Sequence, residues 1–172
     1  TFVAAVTDVS VLAKAMHDDV LAAQAAQVAV RARQRLLDGF WDEKEDSFAH
    51  ALLADGTLSK ERSAWPAMAV WLGVADGERA RRTMERIGRD DVTTNWGVRI
   101  LSSQSAHYDP KGYNSGAVWP FLTGIAALAD FRRGRADAGW QKLEAVRDLT
   151  LNAPRGCVPE VLSGSRAKVR PM

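Results

Sequence analysis

Connections between the apolar-periodic segments of this chain alternate in length, and that alternation limits the architectures open to it. Short turns fall near residues 18, 75 and 134, whereas long excursions occupy 39–62, 89–115 and 153 onward. The segments they join carry helical spacing. Asp8 is placed to cap a first helix over 8–17, with Val9, Leu12, Ala13 and Met16 on one face. Asp18 or Asp19 opens a second, with Leu21, Ala25, Val28, Ala32 and Leu36 in register, and Gly39 stops it. A third begins near Ser63 and gathers Trp65, Met68, Ala69 and Leu72; the turn from Gly73 to Gly77 leads into a fourth over 78–87. A fifth covers 116–133, and a sixth covers 136–151 after the Arg133-Gly134 turn. Only 47–53 and 98–101 read as short extended pieces.

Six helices joined in this way make three helical hairpins, so the expected class is all-α, with residues 1–172 forming one domain. If the hairpins stack side by side, every long connection lands at the same end. The excursions also finish alike, on Trp65-Pro66, Trp119-Pro120 and Val158-Pro159. Proline suits a helix's first turn, where its missing N–H has no partner to lose. The nearly continuous apolar run over 117–131 is expected to be buried on most sides. The basic segment with Arg79, Arg81, Arg82 and Arg86 contains Glu78 and Glu85, and reads as a solvated face rather than an anion patch.

Composition removes several function classes. A chain of 172 residues that is 47% apolar and 26% charged has enough of both for one core and a polar surface. Its net charge of +2, with arginines interleaved among acids, gives no footprint for nucleic acid or a membrane. Cys157 is the single cysteine, and three scattered histidines give no zinc spacing, so neither an internal disulfide nor a metal or other cofactor is expected. There is no apolar run of transmembrane length, and a chain that opens on Thr1 is silent about targeting.

The second long excursion carries the chemistry. From Asn95 to Pro120 it holds two tryptophans, two tyrosines, Arg99, Asp109 and three glycines before entering an apolar helix. Loops longer than about 15 residues within a compact domain are usually functional. Indole and phenol rings stack on the C–H faces of a sugar, while its hydroxyls need charged or amide partners. The expected partner is therefore a carbohydrate.

Three blocks carry a family resemblance: Asn95-Trp-Gly-Val-Arg-Ile-Leu-Ser102, the pattern Tyr-Asp-Pro-x-x-Tyr-x-x-Gly-x-Val-Trp-Pro over 108–120, and Pro159-Glu160-Val-Leu-Ser-Gly164. In these, and in their order, the chain resembles glycogen-debranching amylo-α-1,6-glucosidases and their bacterial relatives among the six-hairpin glycosidases. The likeness covers roughly residues 20–165 and is strongest over 93–124. It implies an (α/α)6 toroid of inner and outer helices with the sugar at the mouth where long loops meet. Three hairpins resemble only the second, C-terminal half of that toroid, and the chain is expected to be truncated at both ends. The family's general acid, an Asp, matches nothing here and is expected upstream of Thr1, so this chain alone is expected to hydrolyse nothing.

Glycoside hydrolysis with inversion uses one protonated carboxyl to expel the leaving oxygen and one ionised carboxylate to activate water. The resemblance assigns the second role to Glu160; from spacing alone, a loop glutamate is a solvated or capping residue. Trp96 and Trp119 are candidate stacking platforms or core residues. Arg99 holds sugar hydroxyls or pairs with Asp109, the ion pair being the preferred reading. Tyr108 and Tyr113 suit a sugar rim or a loop-packing hydrogen bond. Asp109 is a substitute acid or, before Pro110, a turn former, and the turn is preferred. The implied substrate is an oligosaccharide or glycogen-like glucan with α-glucosidic linkages. The rivals are a six-hairpin glycosidase of other sugar specificity and a non-catalytic carbohydrate-binding or structural module. Oligomeric state and compartment have no signature in the chain.

Overall fold

The computed structural model describes residues 1–152 and 157–165. Among these residues six helices and four two-residue strands alternate with long loops. Helix α1 (Phe2–Ala15) starts well before the expected Asp8 cap. No breaker interrupts residues 1–7, and the Thr1 carbonyl already accepts the Ala5 N–H at 3.0 Å, so the helix propagates backwards. His17 turns the chain with φ 61°. The Asp18 carboxylate then accepts the Leu21 N–H at 2.9 Å and caps α2 (Asp19–Gly39). α1 packs on α2, with Ala13, Ala22, Ala25 and Ala29 buried; Phe2, Leu12, Met16, Val20 and Val30 remain exposed.

Past Gly39, strands β1 (Trp41–Asp42) and β2 (Ser47–Phe48) pair antiparallel. Helix α3 (Ala67–Trp71) is shorter than the expected element from Ser63 to Leu72. Ser63 forms a bridge with Leu101 and the Ala64 N–H bonds the Ile100 carbonyl, so the helix cannot begin at Ser63 and follows a turn through Trp65 and Pro66. In α4 (Gly77–Ile87) the solvated-face reading holds for Arg81, paired with Glu78 and Glu85, and needs correction at Arg86. Arg86 is only 6% exposed, and its guanidinium meets both Asp91 carboxylate oxygens at 3.1 and 2.9 Å. Alanine, threonine, methionine and isoleucine one helical turn apart bury the same face, and carry Arg86 inward with them.

Strands β3 (Thr93–Thr94) and β4 (Gly97–Val98) form a second antiparallel pair. Helix α5 (Pro120–Arg132) begins later than residue 116 because residues before it are extended and bonded to other segments. The expectation that α5 is buried on most sides holds for eight of its 13 residues, which leaves one exposed stripe. Leu122, Ile125, Ala126 and Ala129 are buried, yet Phe121, Leu128 and Phe131 stay exposed along another face. Gly134, at φ 69°, makes the tight turn into α6 (Ala136–Asn152). Asp130, fully buried, ties the two helices by accepting from Arg135 Nε at 2.8 Å and Lys142 Nζ at 2.7 Å. A buried carboxylate left unpaired is costly, so this clamp fixes how α6 lies on α5.

The main core gathers Val70, Met84, Ile87, Val92, Val98, Leu122 and Ile125 from α3, α4, α5 and the strands. A smaller cluster of Trp96, Val118, Leu149 and Leu162 lies apart from it and backs the loops described next. No helix among the described residues is long and apolar enough to cross a membrane.

Candidate active site

Three chain segments distant in sequence lie edge to edge and build the site's floor. Val118 bridges Arg99 on one side and Leu162 on the other, both antiparallel. The Val118 and Leu162 N–H groups each donate to the other's carbonyl at 2.9 Å, which sets the register of the loop bearing Glu160. The Trp119 N–H donates to the Val98 carbonyl at 3.2 Å. Thr123, one turn into α5 and fully buried, accepts the Val98 N–H and donates to the Trp119 carbonyl, both at 2.8 Å. Strand β4 and the start of α5 are therefore locked to each other. Sequence reasoning missed Thr123; a threonine one helical turn after Trp119 was its only signal.

The loops close this tightly because two glycines meet. A Cβ at Gly164 would lie 2.0 Å from the Gly116 carbonyl oxygen and 2.8 Å from the Tyr108 hydroxyl, and one at Gly116 would lie 2.3 Å from the Asp109 carbonyl. Only hydrogen fits at either position. Asp109 is a turn former here: its carboxylate accepts the Lys111 N–H and its carbonyl the Gly112 N–H, both at 2.9 Å.

On this floor Glu160, Tyr113 and Trp119 come together. The Tyr113 hydroxyl donates to Glu160 Oε1 at 2.6 Å. The Tyr113 and Trp119 rings meet edge to face, with centroids 4.6 Å apart, and Trp119 Nε1 donates to the Tyr113 carbonyl at 3.0 Å. Tyr113 and Glu160 are exposed and Trp119 is half-buried, so a carboxylate and two aromatic rings share one accessible surface. The hydrogen bond to the Glu160 carboxylate raises the Tyr113 phenol above its ordinary pKa, which keeps the hydroxyl protonated as a donor.

Trp96 takes the core alternative, whereas Arg99 departs from the preferred ion pair. Trp96 is 8% exposed within the small apolar cluster, and its Nε1 donates to the Ser163 carbonyl at 3.1 Å. An indole covered in this way offers little face for stacking. Arg99 does not pair with Asp109. Its Nε donates to the Gly164 carbonyl at 2.8 Å, and Nη1 to the carbonyls of Asp90 and Asp91 at 2.8 and 3.3 Å. Three backbone acceptors from two loops take the Nε and Nη1 hydrogens of the guanidinium. A separate cleft of about 740 Å³, between the β3–β4 hairpin and α6, has Trp96, Arg99 and Lys142 in its wall, but not Glu160. Among the described residues no group of His, Cys, Asp and Glu side chains is arranged to hold a metal ion.

Residues 1–162 match the mannosylglycerate hydrolase MGH1-like glycoside hydrolase domain. No curated protein sequence matches the chain. Among solved structures, it superposes on the GH63 mannosylglycerate hydrolase from Thermus thermophilus in complex with glucose, at TM-score 0.78 and 18% identity over 98% of this chain and 41% of that one. Neutral trehalase from Saccharomyces cerevisiae gives TM-score 0.75 and 16% identity, over 97% of this chain and 33% of that one. A sialidase gives 0.79 and 14%, over 94% and 16%. The chain thus spans less than half the length of each. Its fold is that of the (α/α)6 glycosidases, of which it forms part.

Proposed function

The chain belongs to the mannosylglycerate hydrolase MGH1-like glycoside hydrolase family, and on that premise we propose that it supplies the general-base half of an inverting glycosidase site. Glu160 is the base: its carboxylate takes a proton from water as that water attacks the anomeric carbon. The observation that carries this reading is the Tyr113–Glu160 hydrogen bond beside Trp119, since it places an oriented, accessible carboxylate against aromatic rings suited to a sugar. Tyr113 orients the carboxylate, and Trp119 is the stacking surface. Tyr108 and Asp109 shape the rim through their loop. The reaction also needs a protonated carboxyl on the opposite side of the scissile bond, about 6.5–9.5 Å from the base. The resemblance matches that acid to no residue of this chain.

The substrate is an α-glucosidic linkage in an oligosaccharide or glycogen-like glucan, the linkage that the resemblance to glycogen-debranching glucosidases implies. Mannosylglycerate, named in the family's description, is the alternative. Proton NMR of the full-length gene product acting on maltooligosaccharides, a branched α-1,6-linked glucan and mannosylglycerate separates these readings. Hydrolysis of a glucan with release of the inverted anomer supports the proposal, and turnover of mannosylglycerate alone replaces the substrate. A product of retained configuration contradicts the general-base role, and binding without turnover of any of the three favours a carbohydrate-binding module.

A further inference from the structure

We propose that Trp96 and Arg99 are positioning residues that latch the loop presenting Glu160, and that neither contacts the sugar. This rests on the reading of Glu160 as the base. After Glu160 the chain makes four consecutive attachments. Val161 is buried, Leu162 is paired in both directions with Val118, the Ser163 carbonyl accepts from Trp96, and the Gly164 carbonyl accepts from Arg99. The Gly164 N–H and the Ser163 hydroxyl also donate to the Pro110 carbonyl, at 2.8 and 3.3 Å. Two of the donors, the Trp96 indole and the Arg99 guanidinium, belong to the Asn95–Ser102 block and come from the far side of Val118.

The latch has a fixed base of its own. Arg99 reaches back to the Asp90 and Asp91 carbonyls, and the Asp91 carboxylate is held by Arg86 of α4 and by the Ser102 hydroxyl. Its guanidinium lies over the Trp96 ring at 5.7 Å from the centroid, so the two donors support each other. A continuous path of bonded groups runs from the end of α4, through Asp91 and Arg99, to the loop with Glu160. Catalytic carboxylates must be held within about 0.5 Å of their working position. An exposed side chain such as Glu160 obtains that precision from its backbone, and these two side chains grip the backbone three and four residues downstream.

The test uses Trp96→Phe, which keeps the packing ring and removes the N–H, and Arg99→Lys, which keeps the charge and removes the fork. Both are made in the full-length gene product, alone and combined with Glu160→Gln, and assayed on whichever of maltotriose and mannosylglycerate the unmodified protein hydrolyses. The latch predicts that kcat falls about 10- to 100-fold in each single variant while KM stays within about threefold. In the Glu160→Gln background the same changes add less than about twofold, because they act through Glu160. Melting temperatures are measured alongside; Trp96→Phe, which keeps the packing ring, is expected to stay folded and decides if Arg99→Lys does not. A raised KM at unchanged kcat, an unchanged kcat in the folded variants, or losses that add fully in the Glu160→Gln background overturns the latch. Full activity of Glu160→Gln itself defeats the base assignment instead, and hydrolysis of neither substrate removes both.

Discussion

Tyr113 and Glu160, 47 positions apart, are joined by a 2.6 Å hydrogen bond from phenol to carboxylate. The carboxylate accepts from the neutral phenol and repels a phenolate, so it lifts the Tyr113 pKa. Replacing the carboxylate by an amide removes most of that effect. The Tyr113 resonance of ring-labelled tyrosine, assigned by its loss in Tyr113→Phe, is followed by NMR against pH in the full-length gene product. Glu160→Gln is expected to move its titration midpoint down toward the ordinary tyrosine value of about 10. An unchanged midpoint means that the pair is not formed in solution.

Trp119 both packs on Tyr113 and faces the accessible surface. Its replacement by alanine removes an aromatic contact and the Nε1 bond to the Tyr113 carbonyl. KM for an oligosaccharide is expected to rise about tenfold, the size of one lost aromatic contact. Trp119→Phe keeps a stacking ring and recovers part of the loss. Equal KM values for the alanine variant and the unmodified protein are incompatible with stacking at this position.

Glycine has opposite meanings at two places in the chain. At Gly164 an added methyl meets backbone at 2.0 Å, so Gly164→Ala forces the loops apart and is expected to cost about 1–3 kcal/mol. At Gly124, inside α5, nothing lies within 4 Å of the added carbon. Gly124→Ala is expected to stabilise by roughly 0.5–1 kcal/mol through helix propensity alone. Thermal melts of the two variants should therefore shift in opposite directions.

Acid should open the Arg86–Asp91 pair. Burial raises the Asp91 pKa, but hydrogen bonds from Arg86 and Ser102, and the Arg86 charge, outweigh it and leave a net depression. A carboxylate whose folded pKa lies below its unfolded one adds stability above the unfolded value, near 3.8, and loses it as pH falls through the folded value. Asp91→Asn is expected to cost about 3 kcal/mol at neutral pH by leaving a buried guanidinium short of its partner. Glu45, 4.0 Å from Arg86 Nε, softens that loss. Denaturant melts at pH 7 and below pH 4 should show the difference between variant and unmodified protein shrinking in acid.

The helices were legible where periodicity and punctuation agree. α2 follows its Asp18 cap and Gly39 stop, and α6 follows Gly134. Legibility failed where tertiary pairing overrides pattern: α3 and α5 begin late because Ser63 and Val118 are held as extended pieces by partners far along the chain. Glu160 was singled out beside the aromatic block only by the family resemblance, since spacing alone marks it as a solvated loop residue; in the fold Tyr113 touches both Glu160 and Trp119. The individual bonds of Trp96 and Arg99 were not readable. Their acceptors are main-chain carbonyls, which every residue carries and no side-chain pattern marks.

The role of Glu160 is tested most directly by the turnover of Glu160→Gln in the full-length gene product, with substrate affinity measured alongside. The amide keeps the shape and can still accept the Tyr113 hydrogen bond, but it does not take a proton from water. The expected result is a kcat lower by about 10²–10⁴-fold with affinity within about threefold of the unmodified protein. Near-normal turnover at unchanged affinity contradicts the account, because the proton must then go to another group.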